Sequence, residues 1–581
     1  MAMRHAAILL GVSCLFLQQS ALAQQPRADS LRAIATAQAA QAHFERVRRN
    51  TAPLSADEQP PCDVKVGRMC YWSDEGNQIP PREPSAVVKT RLALIATLDT
   101  LSQRSPHDDW ILGQRVRYMV QADEDSGAVA VTRACASARW SCRVLLGYAL
   151  HESERFGDAA AQFDTAFAEM PLAERCRWND ISVLLGDAER EKYSAIPCGQ
   201  RDSVERRFWE LAQPSFAVAG NDRRTEHFAR VLIADLSENA VNVYGLTWGP
   251  DMREVLIRYG EPRWYTTPWR QAMDGFPATM GHDRTPSFHF AAEMSSGAAH
   301  WDVYDRLARE RYAPAYIDTV TALDVQFAMM KRGDSALVLA VYGGGEGHAV
   351  LDVVGAGFDS TAGSSKRVRR ARSPWRGEMV AMELFDPRTR VDARAREWLQ
   401  PPVPARGAPD LSTLLLFDAD PDVTVESLDD ALAHALTANE LDGKRRVGLY
   451  WETYRDRTPA SHPDSTPGVP DDTSRAALRS DSGRAVADSQ SQSADSAATV
   501  SVTVVRTDGG VLRWLQSALH ITPQTSPIAV HWHDSGAGGP IAAHSLVVDL
   551  TQLPAGEYRV TVDAGPDAAH RTEIARDIRL R

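Results

Sequence analysis

Trp248-Gly249-Pro250-Asp251-Met252-Arg253-Glu254-Val255-Leu256-Ile257-Arg258-Tyr259-Gly260-Glu261-Pro262 reads as one short helix with both ends written into it. Asp251 and Glu254 stand three apart, the spacing at which a helix cap and the third residue satisfy each other's backbone donors. Met252, Val255, Leu256 and Tyr259 recur at helical spacing and predict a buried face. Gly260 suits the left-handed position that ends a helix, and Pro262 forbids continuation. Only Trp248, Arg258 and Glu261 are left over as ligand contacts. The chain changes character around this helix: apolar residues recur with a helical period upstream and, from about Asp318, with a period of two downstream.

Upstream, helical spacing runs from Ser30 to Asn50 and from Glu83 to Gln103, and the joining loop holds Pro60, Pro61, Pro80 and Pro81. Leu112-Gly113 recurs thirty-four residues later as Leu146-Gly147. In the second copy Ala159, Phe163, Ala166 and Pro171 follow, and the set resembles the tetratricopeptide repeat. Small residues let two antiparallel helices approach while Phe163 fills their seam. Ile181 to Tyr193, with Leu185-Gly186, is expected to supply a third helix. The resemblance implies a scaffold or a groove for a protein or peptide partner. Beyond it, Asn221 or Asp222 caps a helix on which Glu226 and Arg230 form an i,i+4 pair beside His227.

Trp248 to Pro262 also resembles the signature of the GWxTD-domain family of exported bacterial proteins, its tail Ile257-Arg258-Tyr259-Gly260-Glu261-Pro262 most closely. Thr247 replaces the family's first Gly and Pro250 its Thr. The resemblance covers about one hundred residues and implies export, with no particular chemistry.

Downstream, Leu323 to Phe327, Ser335 to Tyr342 and Glu378 to Phe385 alternate as strands; a helix intervenes at Val425 to Thr437, and Val447 to Tyr454 resumes the alternation. Residues 458–497 are rich in Ser, Asp, Ala and Pro and predict a disordered insert, because they bury too little apolar surface to offset ordering entropy. Strands return near Val500 to Arg506, Ile528 to Trp532, His544 to Leu550 and Tyr558 to Val562. The expected fold is multidomain α+β. A signal peptide (1–23) precedes a disulfide-stapled, tetratricopeptide-like helical domain (24–214) and a small α/β GWxTD-like domain (215–317). An all-β sandwich region (318–457), the insert and the final sandwich strands (498–581) complete it.

A basic start, an apolar run from Ala6 to Leu17 and Ala21-Leu22-Ala23 form a secretory signal with cleavage after Ala23. No later run reaches the roughly 18 to 20 apolar residues that span a bilayer. Export places the chain in the periplasm, at the outer membrane or outside the cell, and leaves Cys62, Cys70, Cys135, Cys142, Cys176 and Cys198 to pair in an oxidising compartment. Six cysteines allow 15 pairings. Short loops favour Cys62 with Cys70, Cys135 with Cys142 and Cys176 with Cys198. The net charge of −12 argues against a nucleic-acid partner.

No catalytic set stands out. Gly-x-Ser-x-Gly is absent, and His151-Glu152 lacks the second His of a zincin. Asp418, Asp420 and Asp422 alternate without the glycine of a calcium loop, and His531 and His533 share a strand face with His544 as a distant third ligand; both read as solvated surface, so neither metal nor cofactor is expected. The leading expectation is an exported, non-enzymatic binding or scaffold protein with Glu226, His227, Arg230, Trp248, Asp251, Arg258 and Glu261 as candidate ligand contacts. The alternatives are an extracytoplasmic hydrolase or carbohydrate-active enzyme, using His227, Glu226, Asp251 and Glu261 between the helical and middle domains, and an envelope-assembly or anchoring component.

Overall fold

The computed structural model describes residues 29–55, 64–71, 81–137, 139–267, 279–282, 316–343, 347–353, 361–362, 367–420, 423–441, 443, 446–454, 498–507, 528–534, 540–567 and 570–581. The signal segment, Cys62, Asp422 and the 458–497 insert lie outside them. The chain is mixed α+β, with its helices mostly in the N-terminal half and its sheets mostly in the C-terminal half. It divides into two compact units. One comprises the chain up to Ala322 with Gly347–Ala349 and Glu383–Arg396, and the other comprises Leu323–Glu346, Val350–Met382 and Glu397–Arg581.

The first unit is built from α1 (residues 29–51), α2 (Ser85–Arg104), α3 (Asp109–Val120), α4 (Asp125–Arg133), α5 (Arg139–Glu152), α6 (Phe156–Glu169), α7 (Leu172–Trp178), α8 (Asp187–Ala195), α9 (Asp202–Ala212), α10 (Asp222–Glu238) and α11 (Pro250–Tyr259). Ala33, Ala37 and Phe44 of α1 share a core with Val87, Leu94, Leu98 and Leu101 of α2, as the spacing predicts. A β-carbon on Gly147 would lie 3.0 Å from the Phe163 ring, so the glycine lets α5 and α6 close on each other. Phe163 is fully buried, which stabilises by roughly 1.5 to 3 kcal/mol. The earlier Leu-Gly pair plays a different part: Gly113 abuts Leu236 of α10. The expected helix over Ile181–Tyr193 is instead a 3-10 turn, Ser182–Leu184, followed by α8, because Gly186 stands at the N-cap and starts a new helix.

Helix α10 lies at the centre of this unit. Asn221 caps it by accepting the Arg224 N–H at 3.0 Å, and Phe228, Val231, Leu232, Ile233 and Leu236 are all buried. Two disulfides, Cys135–Cys142 and Cys176–Cys198, pin the surrounding helices. The hairpin arm Glu383–Arg396 belongs to this unit and grips residues 213–217. Glu383 accepts the N–H groups of Phe216 and Ala217, the Ser215 hydroxyl and Arg396, while Arg394 and Arg396 donate to the carbonyls of Pro214 and Gln213. The buried Glu383 charge is thereby compensated bond by bond, whereas neither carboxylate oxygen of the fully buried Asp392 accepts a hydrogen bond among the described residues.

In the second unit Val325–Arg332 and Ser335–Tyr342 form an antiparallel hairpin, its turn made by Gly333 at φ 65° and Asp334, and Val368–Pro374 extends the sheet. Arg446–Tyr454 pairs with Leu415–Asp418 and Ile541–Asp549. Ala498–Arg506 lies between Ile528–Asp534 and Gly556–Asp567, and His570–Leu580 follows. Val447, Leu449 and Trp451 share one core with Val500, Val502, Val560 and Ile574, so alternate residues of both sheets are buried together. The intervening helix is Leu428–Ala433, shorter than Val425–Thr437, because Ser427 and Asp430 close a capping box at its start and His434 ends it.

Candidate functional site

The first unit carries a cavity of about 630 Å³ that is partly open to solvent. Its position follows from where helices stop. Ala52 and Pro53 follow α1, Val120, Gln121 and Asp123 mark the end of α3, and His151 and Glu152 end α5, so three carboxyl termini meet there. Pro84, Val87 and Arg91 bring the first turns of α2, and Glu226, Ala229, Arg230 and Ile233 supply one face of α10. Gly260 to Tyr265, the segment leaving α11, closes the wall with Trp264 and Tyr265 beside Tyr148 of α5. The volume lies within the range of small-molecule sites.

Most of the charge lining this cavity is internally compensated. Arg117 pairs with Glu261 through two donors, and Arg48 reaches Gln121 and Glu45. The Tyr118 hydroxyl donates to Glu45 at 2.8 Å and accepts from Gln41 at 2.9 Å. Burial pushes the Glu261 carboxyl up, but Arg117, Arg48 and Gln121 overcome it and hold the group below its ordinary value. Arg230 pairs with Glu226 while donating to the carbonyls of Arg258 at 2.8 Å and Ile257 at 3.2 Å, so it caps the last turn of α11.

Glu152 differs. Half-buried on the cavity wall, it makes no hydrogen bond and no ion pair among the described residues. Burial pushes its carboxyl up to about 7; Glu226, Asp125 and Glu261 reinforce the rise and Arg263 opposes it. Its neighbour His151, bonded through Nδ1 to the Thr225 hydroxyl at 2.9 Å, is pushed down to about 4, again chiefly by burial, with Arg230, Arg223 and Arg263 adding to the effect. At neutral pH the wall therefore carries a half-protonated acid beside an uncharged imidazole.

Of the candidate contacts read from the sequence, Glu226, Arg230 and Glu261 come together on this wall. The others lie elsewhere. His227 is fully buried against Trp209 and Phe228, and burial lowers it to about 3. Trp248 lines a smaller cavity of about 80 Å³ with Met252 and Tyr259. Arg258 pairs with Glu254 along α11. Asp251 does not cap the helix: Gly249 occupies that position and Pro250 begins the first turn, where its missing N–H costs nothing. The Asp251 carboxylate instead accepts from Arg68 Nε and Nη2, each at 2.7 Å, and the Arg68 backbone N–H at 3.0 Å. These bonds hold it well below the usual carboxylate range. The quartet expected for an enzyme, His227, Glu226, Asp251 and Glu261, is thus not assembled in one place.

The face expected to be buried also needs correcting. Met252 and Ile257 are the sealed residues of α11; Val255, Leu256 and Tyr259 are half-buried, because that side of the helix fronts the two cavities. His544 stacks on Trp451 and bonds Thr453, while His531 is exposed on a different strand. His151, Glu152 and Tyr148 went unselected in the sequence; the signal was an ionisable pair ending a helix that carries a close-packing glycine. A scan of the chain against models of known protein families finds no match, and a search of curated proteins finds no similar sequence.

Proposed function

We propose that this chain is an exported, non-enzymatic binding protein of the cell envelope or exterior, and that the 630 Å³ cavity of its helical unit holds the ligand. One observation carries this reading. The cavity is walled by side chains that mostly satisfy one another, and Glu152 is left with an uncommitted carboxyl. Mutually bonded walls keep their shape without a ligand, which lowers the cost of binding one. Export is supported by the Ala6–Leu17 run and the Ala21-Leu22-Ala23 ending, and the two disulfides are compatible with it. Among the described residues no helix is long and apolar enough to cross a membrane. The tetratricopeptide-like α5–α6 pair acts as scaffold in this reading, and the GWxTD-like segment builds one wall. A thermal-shift screen of the mature chain against small polar molecules, peptides and saccharides tests it. A saturable rise in midpoint is expected for at least one class, and no response across the library counts against it.

A further inference from the structure

We infer that the ligand, if the cavity is the binding site proposed above, is an organic cation whose ammonium or guanidinium group seats against Glu152. Three independent features of the wall select positive charge. Glu152 is the half-buried carboxylate there that no protein cation holds by hydrogen bond or ion pair among the described residues; the other, Asp123, is exposed. Helices α1, α3 and α5 all end at the cavity against the single amino terminus of α2, and the carboxyl end of a helix favours a cation through its exposed carbonyls and dipole. Tyr148, Trp264 and Tyr265 line the same space, and aromatic faces attract cations.

The buried arginines of the wall do not argue for an anion. Arg91, Arg230 and Arg48 are engaged with Glu83, Glu226 and Glu45 respectively, while Arg82 and Arg263, which also line the cavity, are exposed. The apolar lining from Val87, Ile233 and Leu256 asks for a hydrocarbon portion as well. The chemistry is therefore an amine or guanidine on a short carbon chain, free or as a peptide's lysine.

The carboxyl faces Arg263, Glu226, Asp125 and Glu261, with His151 next to it, and burial keeps it partly protonated near neutral pH. An arriving cation displaces that proton, so binding releases protons and tightens as pH rises through 7.

Calorimetric titration of wild type and Glu152→Gln with aliphatic diamines, a guanidine and a lysine tripeptide, beside matched diols and dicarboxylates, tests the assignment. Amines should bind wild type with proton release to the buffer, and roughly tenfold or more weakly to Glu152→Gln. Glu152→Asp should recover part of the loss. The tripeptide and free-amine arms separate the two sources of the same group. Equal binding of amines by Glu152→Gln overturns the assignment, as does silence from every amine. Preferential binding of diols or dicarboxylates overturns it too, yet leaves the cavity standing as a ligand site.

Discussion

The Arg230 guanidinium lies directly against Gly260: a β-carbon built on that glycine would sit 3.2 Å from Nη2, and the backbone there has φ 85°. Arg230 uses this proximity to cap α11 through the carbonyls of Ile257 and Arg258 and, by pairing with Glu226, ties that cap to the cavity wall. Gly260→Val meets both a backbone penalty and a displaced guanidinium, and should cost roughly 2 kcal/mol or more. Combined with Arg230→Met the losses should be less than additive in urea unfolding, since both remove the same cap.

Glu261 and Arg258 stand three residues apart and should behave oppositely. Glu261 compensates the buried Arg117 guanidinium, so Glu261→Ala leaves a buried charge unpaired and should cost about 3 kcal/mol. Arg258→Ala loses one surface pair with Glu254, worth about 0.5 kcal/mol. Denaturant midpoints of the two variants check the contrast.

Ile257→Ala should destabilise by about 2 to 5 kcal/mol, because Ile257 is sealed in the core. Leu256→Ala should cost visibly less, since Leu256 already fronts open space. Equal losses would mean that the space beside α11 is filled.

Glu152 makes stability depend on pH. Its carboxyl titrates near 7 in the folded chain and near 4.3 when unfolded. Between these values the folded state holds the extra proton, so its contribution is fully present below the unfolded value and is lost as pH rises through 7. Glu152→Gln should therefore be more stable than wild type at pH 8, by an amount on the order of 2 kcal/mol, and level with it near pH 4. Thermal midpoints across that range check the sign.

What was legible in the sequence was local. The Asn221 cap and the Glu226–Arg230 pair lie within a few residues of one another, and both form as read. Strand limits such as Ser335–Tyr342 are also local, an apolar run bounded by Gly333-Asp334 and Gly343. The Asp251–Arg68 clasp joins residues 183 apart, and no periodicity reports a partner at that distance. For the same reason the buried face of α11 was only partly legible: Met252 is sealed as read, but Ile257, outside the predicted set, is sealed too, while Val255, Leu256 and Tyr259 front the cavities. Glu152 was weighed only within a zincin pattern that His151-Glu152 does not complete, because a charged residue ending a helix is usually solvated; the meeting of three helix ends makes it otherwise.

Ala52, half-buried on the cavity wall, offers a direct way to close the ligand site. Calorimetric titration of a ligand from the screen into wild type and Ala52→Trp is the decisive measurement. Binding should disappear in Ala52→Trp while the unliganded thermal midpoint stays close to wild type. Undiminished binding by the folded variant would mean that the ligand sits somewhere other than this cavity.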